Sequence, residues 1–138
     1  MLSTALVAAA DSDCRDLICR LLSDAGAWVI PVANGEDALQ VLENAPTQAI
    51  ITDLDMPRLN GRQLCAAIRR HPTLAATPIL LLSTASTNVI ELAAIDADGV
   101  LQKPFQLPQF FDAYTAALAA GAMRQMETAM LGPRSTDQ

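Results

Sequence analysis

The stretch AIITDLDMPRLNG (Ala49 to Gly61) runs apolar, turns acidic at Asp53 and Asp55, then reaches Pro57 and Gly61. Ala49, Ile50 and Ile51 read as a strand buried on both faces, where a continuous apolar run replaces alternation. A carboxylate at the carboxyl end of such a strand is costly unless something engages it. Asp53 or Asp55 could cap a turn or helix, as Asp before Pro often does. The rest of the chain bears on that choice.

Outward from this stretch, apolar runs alternate with helix-period stretches about five times, the mark of βαβ units on a parallel sheet. The spacing predicts a first strand over about Ala5 to Ala9. A helix starts at Ser12 or Asp13, with Leu17, Ile18, Leu21, Leu22 and Ala25 inward and Gly26 as its stop. Trp28 to Val32 reads as an edge strand, because Pro31 cannot donate to a central ladder. Asn34 caps a second helix through Leu42, and Pro46 closes its exit. A third helix follows Gly61, with Leu64, Cys65 and Ile68 inward and Arg62, Arg69 and Arg70 outward. Pro78 to Leu82 is a central apolar strand, Val89 to Ala94 a short helix, and Gly99 to Gln102 the fifth strand. Pro108 opens a last helix at its favoured first position.

That last helix carries Phe110, Phe111, Tyr114, Ala117 and Leu118 at helical spacing, a pattern read as core. Beyond Gly121, Met123, Met126 and Met130 prolong an apolar stripe, which predicts a continued helix offering a face to a partner or a second copy. The domain is expected over 1–121, with 122–138 a helical extension or tail and GPRSTDQ frayed. His71, before Pro72, reads as a helix C-cap rather than a ligand.

Composition narrows the classes. The chain has 138 residues, 51% hydrophobic and 17% charged, enough for one domain with a real core. A net charge of −6 and a pI near 4.5 argue against binding nucleic acid or an anionic membrane. Cys14, Cys19 and Cys65 lack metal-ligand spacing, and an odd count suits a reducing compartment. MLSTALVAAA is too short to span a bilayer and lacks a basic start, so a cytoplasmic location is expected. No output domain is expected within the chain.

In a doubly wound sheet, sites lie beyond the carboxyl ends of the strands. That rule selects Ala10 and Asp11, Asp53, Ser83 and Thr84, and Lys103, which is the chain's only lysine. A compact ammonium can follow a carboxylate, or a phosphate carried on it, as a point charge. A plain Asp53–Lys103 ion pair would explain neither Ser83 nor the loop DLDMPRLNG.

With these residues in place, the sequence resembles the receiver domain of two-component response regulators over about Leu6 to Leu118. The resemblance rests on Asp53 in DLDMPRLNG, followed by Met56-Pro57 and Gly61, on Ser83 in PILLLST, and on Lys103 in QKPF. It implies a flavodoxin-like five-stranded parallel sheet of order 2-1-3-4-5. Asp53 is then the phosphoacceptor, Ser83 the hydroxyl on the phosphoryl group, Lys103 the partnering lysine and Lys103–Pro104 a cis bond. The implied partners are a sensor histidine kinase or phosphotransfer protein upstream and a protein target downstream; the homodimer option rests on the Met stripe, not on the resemblance. Mg²⁺ is the implied cofactor, on Asp53 and the Asp55 backbone carbonyl.

The match also has breaks. The family places two adjacent acids after the first strand to hold metal; the alignment puts Ala9 and Ala10 there and Asp11 one position late. The second switch position, usually aromatic, is Val100, and the interval from Ser83 to Lys103 is short. These departures predict a weakened metal site and an altered output face. A second reading is a degenerate receiver that binds its partner without phosphate. A third, a haloacid-dehalogenase-like phosphatase, would place its D-x-D on the first strand with a further acid pair downstream, and neither is found. A flavodoxin-type FMN site fails because AAADSD is no phosphate cradle.

Overall fold

The computed structural model describes residues 3–131. Five strands alternate with five helices: β1 (Thr4–Ala8), α1 (Ser12–Asp24), β2 (Trp28–Val32), α2 (Gly35–Asn44), β3 (Ala49–Asp53), α3 (Gly61–Arg70), β4 (Ile79–Thr84), α4 (Val89–Ala93), β5 (Gly99–Lys103) and α5 (Leu107–Leu131). All strand pairs are parallel and the sheet order is β2-β1-β3-β4-β5, the flavodoxin-like α/β arrangement read from the sequence. The expected frayed tail, GPRSTDQ, lies outside the described residues.

The apolar runs of β1, β3 and β4 are continuous because these central strands feed two cores, with successive residues pointing to opposite faces. Leu6, Ile50 and Ile79 pack with Leu42, Leu64 and Ile68 on the α2–α3 side. Val7, Ile51 and Leu80 pack with Ile18, Leu22 and Phe110 on the α1–α5 side. Phe110 anchors an aromatic group, 5.7 Å from Phe105, 5.3 Å from Phe111 and 6.0 Å from Tyr114 between ring centroids. Asn34 caps α2 as expected, accepting from the Asp37 N–H, and Asn60 and Gln63 form a reciprocal capping box at the start of α3.

Several expectations need correction. Leu17 is 46% exposed, because α1 turns Cys14, Ile18 and Leu22 inward instead; cysteine acts here as a small hydrophobe. Arg69 does not point outward: its side chain is only 9% exposed, and its guanidinium donates to the Asp98 carboxylate at 2.7 Å. β4 runs two residues past Leu82, so Ser83 and Thr84 belong to the strand. Pro108 is the second helical residue of α5 rather than its first.

Gly121 does not end α5. A Cβ there would sit 2.2 Å from a Pro78 ring carbon, so glycine lets the helix pass close over Pro78 and continue to Leu131. Past Gly121 the helix is tied down by Arg124, whose guanidinium reaches Asp96 at 2.9 Å and Asp98 at 3.2 Å. Asp98 also accepts from the Ile79 N–H at 2.8 Å. The buried carboxylate thereby joins α3, β4 and α5 through charge-assisted hydrogen bonds.

Candidate functional site

β3, β4 and β5 end together on one rim of the sheet. Asp53 stands opposite Leu82, so Ser83 lies one residue beyond it, and Lys103 stands opposite Thr84. Lys103 Nζ donates to Asp53 Oδ1 at 2.8 Å across the end of β4. The Asp53 side chain is 5% exposed and that of Lys103 27%, so the carboxylate is enclosed and the ammonium reaches it from the wetter side. Partial burial pulls the Lys103 pKa down, but the hydrogen bond and charge of Asp53, helped by Cys14 and Asp11, more than offset this and raise it.

The backbone around Asp53 is set by close approaches. A Cβ on Gly61 would lie 2.2 Å from the Asp53 carbonyl oxygen, and the Gly61 N–H donates to the Leu54 carbonyl at 2.9 Å. Glycine there presses the first turn of α3 against the end of β3. Gly35 plays the same part toward Leu59, and Arg58, at φ 65°, pairs with Glu36. The loop between β3 and α3 is therefore held on both sides. The Lys103–Pro104 bond is cis.

Ser83 is 2% exposed, and within the described residues its hydroxyl has no hydrogen-bond partner. Asp55 is exposed in the loop after β3. Asp11 caps α1, its carboxylate accepting from the Asp13 N–H at 3.1 Å. Val100 lies opposite Leu81 on the edge strand, 45% exposed. Ala9 is fully buried, its carbonyl accepting from Arg15 at 2.7 Å, and Ala10 is exposed. Among the described residues, no group of three or more His, Cys, Asp or Glu side chains is arranged to hold a metal.

The sequence reading passed over Cys14. Cys14 packs against the core on the α1–α5 side; burial raises its thiol pKa, Asp53 and Asp11 raise it further, and Lys103 lowers it. The available signal was its position one turn into a helix starting from the same rim.

A parallel doubly wound sheet thus carries a lysine-paired aspartate on its carboxyl rim, and the family match identifies the chain as a signalling domain rather than an enzyme. The chain belongs to the response regulator receiver domain family, which matches residues 5–115, and is thus the receiver domain of two-component phosphorelay signalling. It is 29% identical over 123 residues to the transcriptional regulatory protein TcrA of Mycobacterium tuberculosis, covering 88% of this chain and 48% of that protein. It is 32% identical over 99 residues to the protein PilG of Pseudomonas aeruginosa, covering 70% and 73%. A putative response regulator from Chloroflexus aurantiacus superposes with a TM-score of 0.80 at 29% identity, covering 86% of this chain and 99% of that one. The chain thus spans about half the length of TcrA. The receiver domain of the sensor histidine kinase PA1611 from Pseudomonas aeruginosa, similar in fold (TM-score 0.78, 21% identity), has a magnesium ion coordinated in its active-site cleft.

Proposed function

We propose that Asp53 accepts a phosphoryl group from a phosphohistidine on a kinase or phosphotransfer protein, with Lys103 and Ser83 holding the transferred group. The 2.8 Å contact between Lys103 and Asp53 carries this reading. The P–N bond of the donor breaks, a P–O bond to a carboxylate oxygen of Asp53 forms, and an acyl phosphate results. Such transfer depends on positioning and charge neutralisation more than on covalent help from the protein. Lys103 is already in place to move from the carboxylate to a phosphoryl oxygen, and the free Ser83 hydroxyl supplies a second donor. The pull on Ser83 would then shift the β4–α4 segment. The α4 end of that segment is loosely seated, since α4 buries no residue, whereas β4 is held in the core. Val100 offers no aromatic ring to swing with it.

Magnesium in such a site takes one or two carboxylates plus phosphoryl oxygens. Here the donors are Asp53 and the Asp55 carbonyl; Asp11 is engaged as a helix cap, and Ala9 and Ala10 offer no side-chain oxygen. The residues present do not make an ordinary magnesium cage, and binding is expected to be weak. The same observation favours a second reading, in which the domain binds its target without phosphate. Among the described residues no helix is long and apolar enough to cross a membrane, and we place the domain in the cytoplasm beside its kinase and its target. The domain is assigned to 1–121, with the rest of α5 an extension.

Incubating the chain with a phosphorylated histidine phosphotransfer protein tests this. The expected result is label on the protein that Asp53→Asn removes. No label from any phosphohistidine donor would favour the phosphate-independent reading.

A further inference from the structure

On the side of α5 turned away from the sheet, Ala116, Ala119, Met123, Met126 and Met130 are all exposed. Met123, Met126 and Met130 are 64%, 58% and 79% exposed, so this is an open apolar stripe on a helix already docked by its other face. Phe110, Ala117 and Gly121 supply that docked face. The exposed positions are spaced three, four, three and four apart, the repeat of a seam between two helices. The extension is held firmly enough to present it. Arg124 is bound to Asp96 and Asp98 on one flank, and Gln125 donates to the Ala76 carbonyl at 3.3 Å on the other.

We propose that this stripe pairs with the same stripe of a second copy of the chain, with the two helices antiparallel. The residue sizes select the occupant and the direction. In an antiparallel pair centred between Arg124 and Gln125, Ala119 faces Met130 of the second copy, and Met123 faces its Met126. Small meets large at the ends and the polarizable thioethers meet in the middle, so the seam fills evenly. A parallel pair would set alanine on alanine and methionine on methionine, leaving a gap at one end and crowding at the other.

Charge points the same way. No charged residue occupies the stripe, Arg124 is engaged within its own chain, and Glu127 on the flank would face alanine in the second copy. Each chain carries a net charge of −6. An antiparallel pair sets the two acidic bodies at opposite ends, whereas a parallel pair sets them side by side where they repel. The overlap from Leu118 to Leu131 is about 21 Å of helix. One such helix pair is smaller than a standard interface, so the dissociation constant is expected at or above about 1 µM. Added salt should tighten it, since screening weakens the repulsion while the seam is apolar.

Sedimentation equilibrium of the full chain, from about 5 µM to about 1 mM to bracket that constant, tests the proposal. The expected result is a dimer that grows with concentration and with salt, and that Met126→Glu abolishes while far-UV circular dichroism stays unchanged. Ala119→Glu and Met130→Lys should each weaken the dimer, and the double variant should restore it by placing Glu opposite Lys at both ends. A chain monomeric throughout would overturn the proposal and leave the stripe to a different protein. So would a dimer indifferent to Met126→Glu, and failure of the double variant to recover would overturn the antiparallel arrangement. None of these readings involves Asp53, so they stand or fall apart from the phosphoacceptor assignment.

Discussion

On the β4–β5 side of Asp53 the closing residues of the strands include Ser83 and Lys103, a hydroxyl and an ammonium. On the β1 side the chain runs on into Ala9 and Ala10, which bring neither charge nor donor. Both flanks are strand ends on the same rim, yet only one is equipped for a phosphate. Under the role proposed for Asp53, the difference teaches that neutralising the acceptor and supplying a metal are separable jobs. A site with one buried carboxylate and one ammonium is already balanced at rest. In the reading proposed here, Lys103 takes on most of the neutralisation that a cation would otherwise share.

The largest expected effect is at the acceptor. Asp53→Asn should bring incorporation from a phosphohistidine donor to background, measured by phosphate-affinity gel; label persisting on another residue would remove the basis of the comparison. Next comes the equipped flank. Lys103→Gln deletes a preorganised donor, and the transfer rate should fall by about 10²–10³, with Ser83→Ala costing less. The bare flank should answer in the opposite direction. Ala9→Asp with Ala10→Asp should raise the Mg²⁺-dependent rate by about the same factor of 10²–10³. Three carboxylates then crowd one rim, so the melting temperature of this variant without metal should drop by about 3–4 °C for each kcal/mol of penalty in a chain of this size. Saturating Mg²⁺ should recover it.

The smallest effect is the alkaline limb of stability. The Lys103 pKa is raised in the folded protein, so the pair's contribution is fully present below the unfolded lysine value of about 10.4 and lost as pH climbs through the folded one. Chemical denaturation from pH 9 to 12, a range of about three units around that value, should show this loss. Asp53→Asn should flatten it. The Cys65 contribution falls over part of the same range, because burial pushes its thiol up to about 11, and those of the raised Cys14, Cys19 and Tyr114 fall there too. The Lys103 loss is therefore read as the difference between the unmodified chain and Asp53→Asn.

The equipped flank was legible in the sequence because each of its parts is local. Asp53 ends an apolar run, Ser83 ends another, and the single lysine precedes Pro104, so strand-end position alone puts the three on one rim, where the structure has them. Pro31 marked β2 as an edge and the all-apolar run before Ser83 marked β4 as central, while the full strand order came from the resemblance to receiver domains. What stayed hidden depends on contacts between distant segments. Arg69 looks like a surface arginine on a helical wheel; only the packing of α3 beside the α4–β5 connection brings it to Asp98. Gly121 looks like a helix stop, and its purpose appears only when Pro78 is seen beneath it. Leu17 lost its inward place because Cys14, a residue with little hydrophobic signal, took the position over the sheet.

The comparison of the two flanks is tested most directly by calorimetric titration of Mg²⁺ into the unmodified chain and into the Ala9→Asp, Ala10→Asp variant. Fluorescence is a poor substitute, because Trp28 opens β2 at the far end of the sheet and is 64% exposed. The unmodified chain should give no saturable heat at millimolar Mg²⁺, while the variant should bind one ion per chain. Saturable binding by the unmodified chain, lost on Asp11→Asn, would contradict this account and place Asp11 in the metal site.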